Sequence, residues 1–186
     1  LSSAKNVKWA AKLGTQSYGN TTISNGKIFV GTNNDSMRDP KHPGDRSILL
    51  CLDEKSGDFL WQLVIPKLKS GKVNDWESLG LLSSPTVVGN RLYVVSSRCE
   101  VLCIDVDGLA NGNDGPFQDE AEYAAGPGKP PVEIGDTDAD IIWRFDMAAP
   151  DGTCFSNRMD FVRVDVPELI EAIHGKDADE DPDRFR

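Results

Sequence analysis

One phrase occurs twice in this chain, once intact and once interrupted. The intact copy spans 51–61 and has the sequence CLDEKSGDFLW. The second copy opens with CID at 103–105 and closes with DIIW at 140–143, with a long polar insertion between the two parts. Each copy is an apolar segment that ends in Asp, followed by a turn and an apolar segment that carries Trp. Two β-rich segments around a turn are typical of antiparallel strands, and their repetition predicts similar sheets that pack side by side.

Two further strand-like segments precede each copy, so each copy predicts four antiparallel strands. The hairpin turns are Asn25-Gly26 and Gly89-Asn90, residue pairs that tolerate the positive φ of a tight turn. Four short antiparallel strands are one blade of a β-propeller, and the insertion explains why the second spacing between tryptophans is longer. The predicted strands are 20–23, 27–32, 47–53 and 59–64, then 85–88, 91–96, 100–105 and 140–146.

The predicted domain organisation has four parts. Residues 1–13 hold the closing strand of a preceding blade, and 14–65 form one blade. Residues 66–146 form a second blade with a long loop insert at 106–140. Residues 147–186 form a short α/β extension with an acidic tail, in which we expect a strand at 161–165 and then a short helix with a capping box at its start.

The intact phrase resembles the repeat of the PQQ-like, or quinoprotein-like, β-propellers. That repeat has a small residue, Asp, a Thr-Gly turn and a Trp four residues after Gly; the matching positions here are Cys51, Asp53, Ser56, Gly57 and Trp61. The resemblance covers 6–146. It implies an all-β fold with two consecutive four-stranded blades of an incomplete propeller, plus a short strand and helix tail. Longer phrases at 14–20 and 107–117 look like exported repeat proteins of planctomycete-type bacteria, which implies a periplasmic, secreted or cell-surface protein.

In that family the tryptophan ring stacks on the turn of a neighbouring blade and its NH donates to a backbone carbonyl. The resemblance therefore implies a structural role for the tryptophans and for the turn residues of the repeat. Closed propellers have four to eight blades. With two blades, and with Leu1 as the first residue, we expect a fragment of a longer protein or a chain completed by others. The structural repeat residues are Trp9, Asp53, Gly57, Trp61, Asp105 and Trp143.

Charge and cysteine content limit the partners. The net charge is −10, with 30 acidic and 20 basic residues, so the surface should repel nucleic acid and anionic membranes. No apolar run is long enough to span a bilayer. The expected partners are another protein or the remaining blades of a parent chain. Cys51 and Cys103 occupy equivalent positions and are expected to pack as small apolar residues, while the redox state of the four cysteines stays open.

The insertion holds the candidate metal ligands. Calcium takes six to eight oxygen ligands, and glycines let a loop wrap around the ion. The EF-hand spacing is absent, because Leu109 and Ala110 fall where a ligand and a glycine are needed. A flexible, solvated cluster of turn residues is the alternative interpretation. Zinc is not predicted, since His42 and His174 lie in unrelated contexts. The candidate calcium ligands are Asp105, Asp107, Asn111, Asn113 and Asp114.

The leading functional hypothesis is a non-catalytic, exported binding or scaffold module. It would contact a protein or small-molecule partner through the loops between blades and the insert. Trp76 and Tyr123 lie in those loops as possible exposed anchors, with partial burial as the alternative. The resemblance also allows part of a PQQ- and calcium-dependent quinoprotein dehydrogenase, although no adjacent cysteine pair of that class is present. Outer-membrane assembly scaffolds share the fold as well. No catalytic residue is predicted.

Overall fold

The structure is a computed structural model that describes residues 5–68 and 76–147. The predicted strand and helix of the C-terminal extension lie outside the described residues. Within them the chain is mostly β, with two four-stranded antiparallel sheets and little helix, which confirms the all-β prediction. No helix in this described part is long and apolar enough to cross a bilayer.

The strands follow chain order in both sheets. The first sheet has the order β1-β2-β3-β4 and the second the order β5-β6-β7-β8. All eight predicted strands are present, and their ends lie within two residues of the predicted ends. The strands are β1 (Thr22–Ser24), β2 (Lys27–Asn33), β3 (Arg46–Asp53), β4 (Phe59–Pro66), β5 (Thr86–Val88), β6 (Arg91–Val95), β7 (Glu100–Asp105) and β8 (Ile141–Asp146).

Both hairpins use the predicted turns. Asn25 and Gly26 have φ of 53° and 75°, as a type I′ turn requires. At the second hairpin Gly89 has φ of 61°, whereas Asn90 is not among the residues with positive φ. A positive φ at the first turn position alone is typical of type II′, and glycine favours it. Both turn types match the right-handed twist of the strands they join.

The two sheets share one register. Cys51 pairs with Phe29 and Trp61, and the register shifts directly after Cys51. Cys103 pairs in the same way with Tyr93 and Trp143, and the register again shifts directly after it. The aromatic rings also match, with centroid distances of 6.0 Å for Phe29–Trp61 and 6.1 Å for Tyr93–Trp143. The second sheet is therefore an internal copy of the first.

The largest core lies between the two sheets, and a second apolar cluster lies on the far face of the first sheet. Both faces of β3 are therefore packed, and nearly all of its residues are buried instead of alternating with exposed ones. On the far side of the first sheet, the N-terminal residues Trp9, Ala11 and Leu13 pack against strand residues. The central core includes Phe29, Leu49, Trp61, Leu63, Leu92, Val94, Leu102, Ile104, Phe117 and Ile141.

Two tryptophans make the same contact at successive sheets. Trp9 Nε1 donates to Glu54 O at 3.0 Å, and Trp61 Nε1 donates to Val106 O at 3.1 Å. Each carbonyl lies 45 residues along the chain and directly follows the Asp that ends a third strand. Trp61 thereby joins the first sheet to the second. Trp143, the matching residue of β8, is buried on the opposite face of the second sheet.

A glycine lies against each of these two indole rings. Gly57 has φ of 78°, and a Cβ there would come within 2.5 Å of the Trp9 ring. Gly108 has φ of 62°, and a Cβ there would come within 2.8 Å of the Trp61 ring. Both the positive φ and the close approach of the ring favour glycine at these positions.

The insertion is ordered and packs on the outer edge of the first sheet. It contains a 3-10 turn (Gly108–Asn111) and the helix α1 (Glu120–Ala125), which packs on β4. Residues 137–139 run parallel to β4: Gln62 N donates to Thr137 O, and Ala139 N donates to Gln62 O, both at 3.0 Å. The insertion therefore pairs with an edge strand that would otherwise present free amides and carbonyls.

Candidate functional site

Three aspartates come together where the insertion meets the second sheet. Asp105 ends β7, Asp140 directly precedes β8, and Asp114 lies in the insertion. Asp105 N donates to Asp140 O at 3.0 Å, and Asp114 N donates to Asp140 Oδ2 at 3.1 Å. One carboxylate oxygen from each residue lies within 4.8 Å of the other two. We call this group the three-aspartate cluster.

The structure brings together only part of the predicted calcium ligand set. Asp105 and Asp114 belong to the cluster, and Asn111 lies at its edge, with Nδ2 3.4 Å from Asp114 Oδ2. Asp107 instead pairs with Lys27 at 2.7 Å. Asn113 donates to Glu120 Oε2 at 2.9 Å. Two of the five predicted ligands therefore have other partners.

Asp140 is the cluster member that the sequence analysis missed as a ligand. Its signal was present, because antiparallel pairing of the two halves of the interrupted phrase places it beside Asp105. Asp140 is 0% exposed, and its Oδ1 has no hydrogen-bond partner among the described residues. Burial raises the pKa of Asp140, and the carboxylates of Asp105 and Asp114 add to this, against the lowering effect of the Asp114 N–H and Arg91.

The cluster offers few free oxygens to a calcium ion. Asp105 Oδ1 accepts from Asp107 N at 2.8 Å, and its Oδ2 is bonded to the Arg91 guanidinium. Asp140 Oδ2 accepts from Asp114 N, and Asp114 Oδ2 accepts a long bond from Asn111, which leaves Asp140 Oδ1 and Asp114 Oδ1 as the open oxygens of the cluster. Calcium takes six to eight oxygens. A calcium ion here would need several water molecules to complete its shell.

Asp53, the counterpart of Asp105 in the first copy, holds a turn together. Its Oδ1 accepts from Lys55 N and Ser56 N, both at 2.8 Å, and from Ser56 Oγ at 3.0 Å. The Ser56 amide and hydroxyl, with a smaller effect from Lys55, lower the pKa of Asp53. An ionised Asp thus fixes the turn on which the Trp9 ring rests. The repeated Asp has a structural explanation that needs no ligand.

The long loops meet at one end of the first sheet, where β2 and β4 end and β3 begins. Asn33 Nδ2 donates to Ser78 O at 2.5 Å, and Ser78 N donates to Asp45 Oδ2 at 2.8 Å. Lys67 Nζ and Leu79 N donate to Trp76 O at 2.9 and 3.2 Å. We call this surface, formed by residues 33–45 and 76–82, the loop end.

The two candidate aromatic anchors differ in exposure. Trp76 is 58% exposed at the loop end. Tyr123, in helix α1 of the insertion, is buried, and its hydroxyl donates to Glu100 Oε2 at 2.8 Å. Glu100 also accepts from Ser96 Oγ at 2.9 Å and from Arg144 at 3.0 Å, so this buried carboxylate is fully bonded. Only Trp76 is available to a partner, because Tyr123 anchors α1 to the second sheet.

Cys51 and Cys103 are buried free thiols. Burial raises the pKa of each thiol to about 12. The thiolate is the reactive form of cysteine, so neither residue is a nucleophile near neutral pH. Cys99 is disulfide-bonded. No protein-family model matches this chain, and no curated protein matches it either.

Proposed function

We propose that this chain is a two-blade piece of a PQQ-like β-propeller. Two features support the proposal: the common register of the two sheets, and the indole bonds of Trp9 and Trp61 at the same offset of 45 residues. In a propeller, four-stranded blades pack face to face around a shared axis. A core between two successive sheets fits that arrangement.

We further propose that the piece acts as an exported, non-catalytic binding module that holds a protein partner at the loop end. The observation that carries this is Trp76, 58% exposed on a loop whose backbone is tied to the first sheet. Tryptophan is enriched among residues that dominate binding energy. A loop already held in place loses little conformational entropy on binding, which favours affinity.

The disulfide at Cys99 supports export. Disulfides form and persist in the periplasm and outside the cell and are rare in the cytosol. With a net charge of −10, electrostatic attraction would favour a partner that presents basic groups. Met37, also exposed in the loop end, adds apolar surface that can adapt to such a partner.

The test compares two exposed aromatic positions in the full chain. A photo-crosslinking amino acid replaces Trp76 in one variant and Tyr18, 64% exposed on another segment, in the control. Both variants are made in the exporting cell and irradiated. We expect a discrete protein adduct from position 76 and none from position 18. The captured protein is then purified, and its affinity is measured for Trp76→Ala and for Tyr18→Ala.

A binding tryptophan of this kind contributes about 2 kcal/mol or more, so Trp76→Ala should weaken binding by roughly thirtyfold or more. Tyr18→Ala should leave the affinity unchanged. Equal adducts from both positions, no adduct from either, or an unchanged affinity for Trp76→Ala would contradict the proposal. Deleting the whole insertion is a poorer test, because Phe117 and Ala139 of the insertion belong to the core.

A further inference from the structure

A second polar cluster lies where the loop end meets the insertion, and it shares no residue with the three-aspartate cluster. It consists of Asp39 and His42, in the loop after β2, and Asp138, in the segment of the insertion beside β4. One ligand atom from each residue lies within 4.8 Å of the other two. Residues from two distant parts of the chain therefore meet here.

The backbone on both sides of this cluster is fixed. His42 N donates to Asp39 O at 3.1 Å, and Asn34 Nδ2 donates to His42 O at 2.7 Å. Asp138 N donates to Gly135 O at 2.8 Å, and Asp138 O accepts from Leu109 N at 3.0 Å. The three side chains thus start from a scaffold that needs little rearrangement to hold a ligand.

His42 is the unusual member of the cluster. Its side chain is 1% exposed, and neither ring nitrogen has a hydrogen-bond partner among the described residues. Buried polar side chains nearly always have a partner, so an imidazole with two open nitrogens requires an explanation. Its Nε2 points toward Asp138, with Oδ1 3.9 Å away, which is too long for a hydrogen bond.

That separation is close to the distance between two ligands of one metal ion. Zinc lies about 2.0–2.2 Å from histidine nitrogen and carboxylate oxygen, so two ligand atoms of a tetrahedral ion are about 3.3–3.6 Å apart, and His42 Nε2 and Asp138 Oδ1 would approach by a few tenths of an ångström on binding. We propose that Asp39, His42 and Asp138 form a zinc site, with a water molecule in the fourth position. Imidazole and carboxylate together suit zinc, and the two carboxylates balance its charge.

Lys41 holds the place of the metal in this structure. Its Nζ lies 3.1 Å from Asp39 Oδ2 and 3.0 Å from Asp138 Oδ2, so its single positive charge is shared by both carboxylates. The Lys41 side chain is 28% exposed and can turn outward into solvent. Zinc and Lys41 therefore compete for the same two carboxylates, which distinguishes a metal site from a simple ion pair.

This competition predicts that two substitutions change the zinc affinity in opposite directions. The full chain is stripped with chelator, dialysed and titrated with Zn²⁺ by calorimetry. We expect this site to bind one zinc ion per chain. His42→Gln, similar in size, should weaken binding at least a hundredfold. Lys41→Gln should tighten it at least tenfold, because the competing ammonium is gone. Asp114→Asn, in the other cluster, is the matched control and should leave the affinity unchanged.

Melting curves provide an independent measurement. Lys41→Gln should melt lower than the parent chain in chelator, because two carboxylates lose their counterion, and zinc should restore or exceed the parent midpoint. If His42→Gln fails to fold, the Lys41→Gln variant alone tests the proposal, because substitution of the partly exposed Lys41 should not prevent folding. No zinc binding, binding that survives His42→Gln, or a Lys41→Gln variant that zinc neither binds more tightly nor restores would overturn the proposal.

Discussion

At the scale of single residues, two glycines share nearly the same backbone conformation but differ in the space around them. Gly108 has positive φ and leaves no room for a Cβ between the Trp61 ring and Asp138 O, each 2.8–2.9 Å from the Cβ position. Gly89 has nearly the same φ, 61° against 62°, but has open space around its Cβ position. Alanine substitutions at these two positions therefore separate the free-energy cost of the backbone conformation from the cost of steric overlap with the Trp61 ring.

We predict that Gly108→Ala destabilises the chain more than Gly89→Ala. The left-handed conformation costs alanine about 1–2 kcal/mol at either position. Overpacking against Trp61 adds about 1–3 kcal/mol at position 108 alone. Denaturant unfolding of both variants measures the difference, and tryptophan fluorescence reports the displaced ring. If both variants lose the same stability, the added methyl group at position 108 does not press on the Trp61 ring, which would contradict the close approach of Gly108 to that ring.

The buried Asp140 carboxylate makes a second prediction at this scale. Its pKa is raised by burial first and by its acidic neighbours next, so the native state binds this proton more tightly than the unfolded chain does. The relative stability of the native state is then greatest below the ordinary Asp pKa and falls as pH rises through the raised native pKa. At neutral pH the ionised, buried and partly unpartnered carboxylate destabilises the fold.

Asp140→Asn should therefore raise the free energy of unfolding at pH 7, by about 1–3 kcal/mol, the typical cost of an unsatisfied buried group. The amide keeps an oxygen for the Asp114 N–H and replaces the open oxygen with a donor that faces two carboxylates. The gain should shrink as the pH is lowered toward 4. Asp136→Asn, an exposed aspartate of the same insertion, should have no such effect.

The same variant also tests the calcium hypothesis. If calcium binds the three-aspartate cluster, chelator should lower the melting temperature of the parent chain, because a ligand that binds only the native state stabilises it. Asp140→Asn would then destabilise the chain and remove its response to calcium. If chelator does not change the melting temperature of the parent chain and Asp140→Asn is more stable, the cluster does not bind calcium.

At the scale of elements, the strands were predictable and the insertion was not. Each strand has a local signal: an apolar or alternating run bounded by a turn pair such as Asn25-Gly26. The contacts of the insertion join residues far apart in the chain, such as Ala139 with Gln62 and Tyr123 with Glu100. No local pattern reports such pairs. The helix α1 is also too short to show an apolar stripe.

For the candidate sites too, the sequence indicated residues that lie close together in the chain and missed residues that only the fold brings together. Asp105 and Asp114 were identified because they lie close in sequence, and Asp140 could have been added from strand pairing. The cluster of Asp39, His42 and Asp138 forms only because the insertion returns to β4. A sequence search for ligand spacing missed it, since such spacing exists only when the ligands share one local segment.

At the scale of the whole molecule, the core between the sheets should make the two sheets unfold together. Leu49 of β3 and Leu102 of β7 are both 0% exposed and belong to that one core. Trp61 and the insertion add further contacts across the same boundary, because α1 packs on β4 and its Tyr123 donates to Glu100 of β7. Neither sheet can lose this core without exposing the facing side of the other. We therefore predict a single cooperative transition, as small domains usually show.

The test is a pair of matched truncations, one in each sheet. Leu49→Ala and Leu102→Ala should each lower the free energy of unfolding by about 2–5 kcal/mol, and circular dichroism and tryptophan fluorescence should report the same midpoint in each variant. Leu82→Ala, at a partly exposed site, should change it by less than about 0.5 kcal/mol. Two separable unfolding transitions, each shifted by only one of the two variants, would contradict this prediction. A truncation in a shared core must destabilise both sheets, so such a result would mean that the sheets unfold independently.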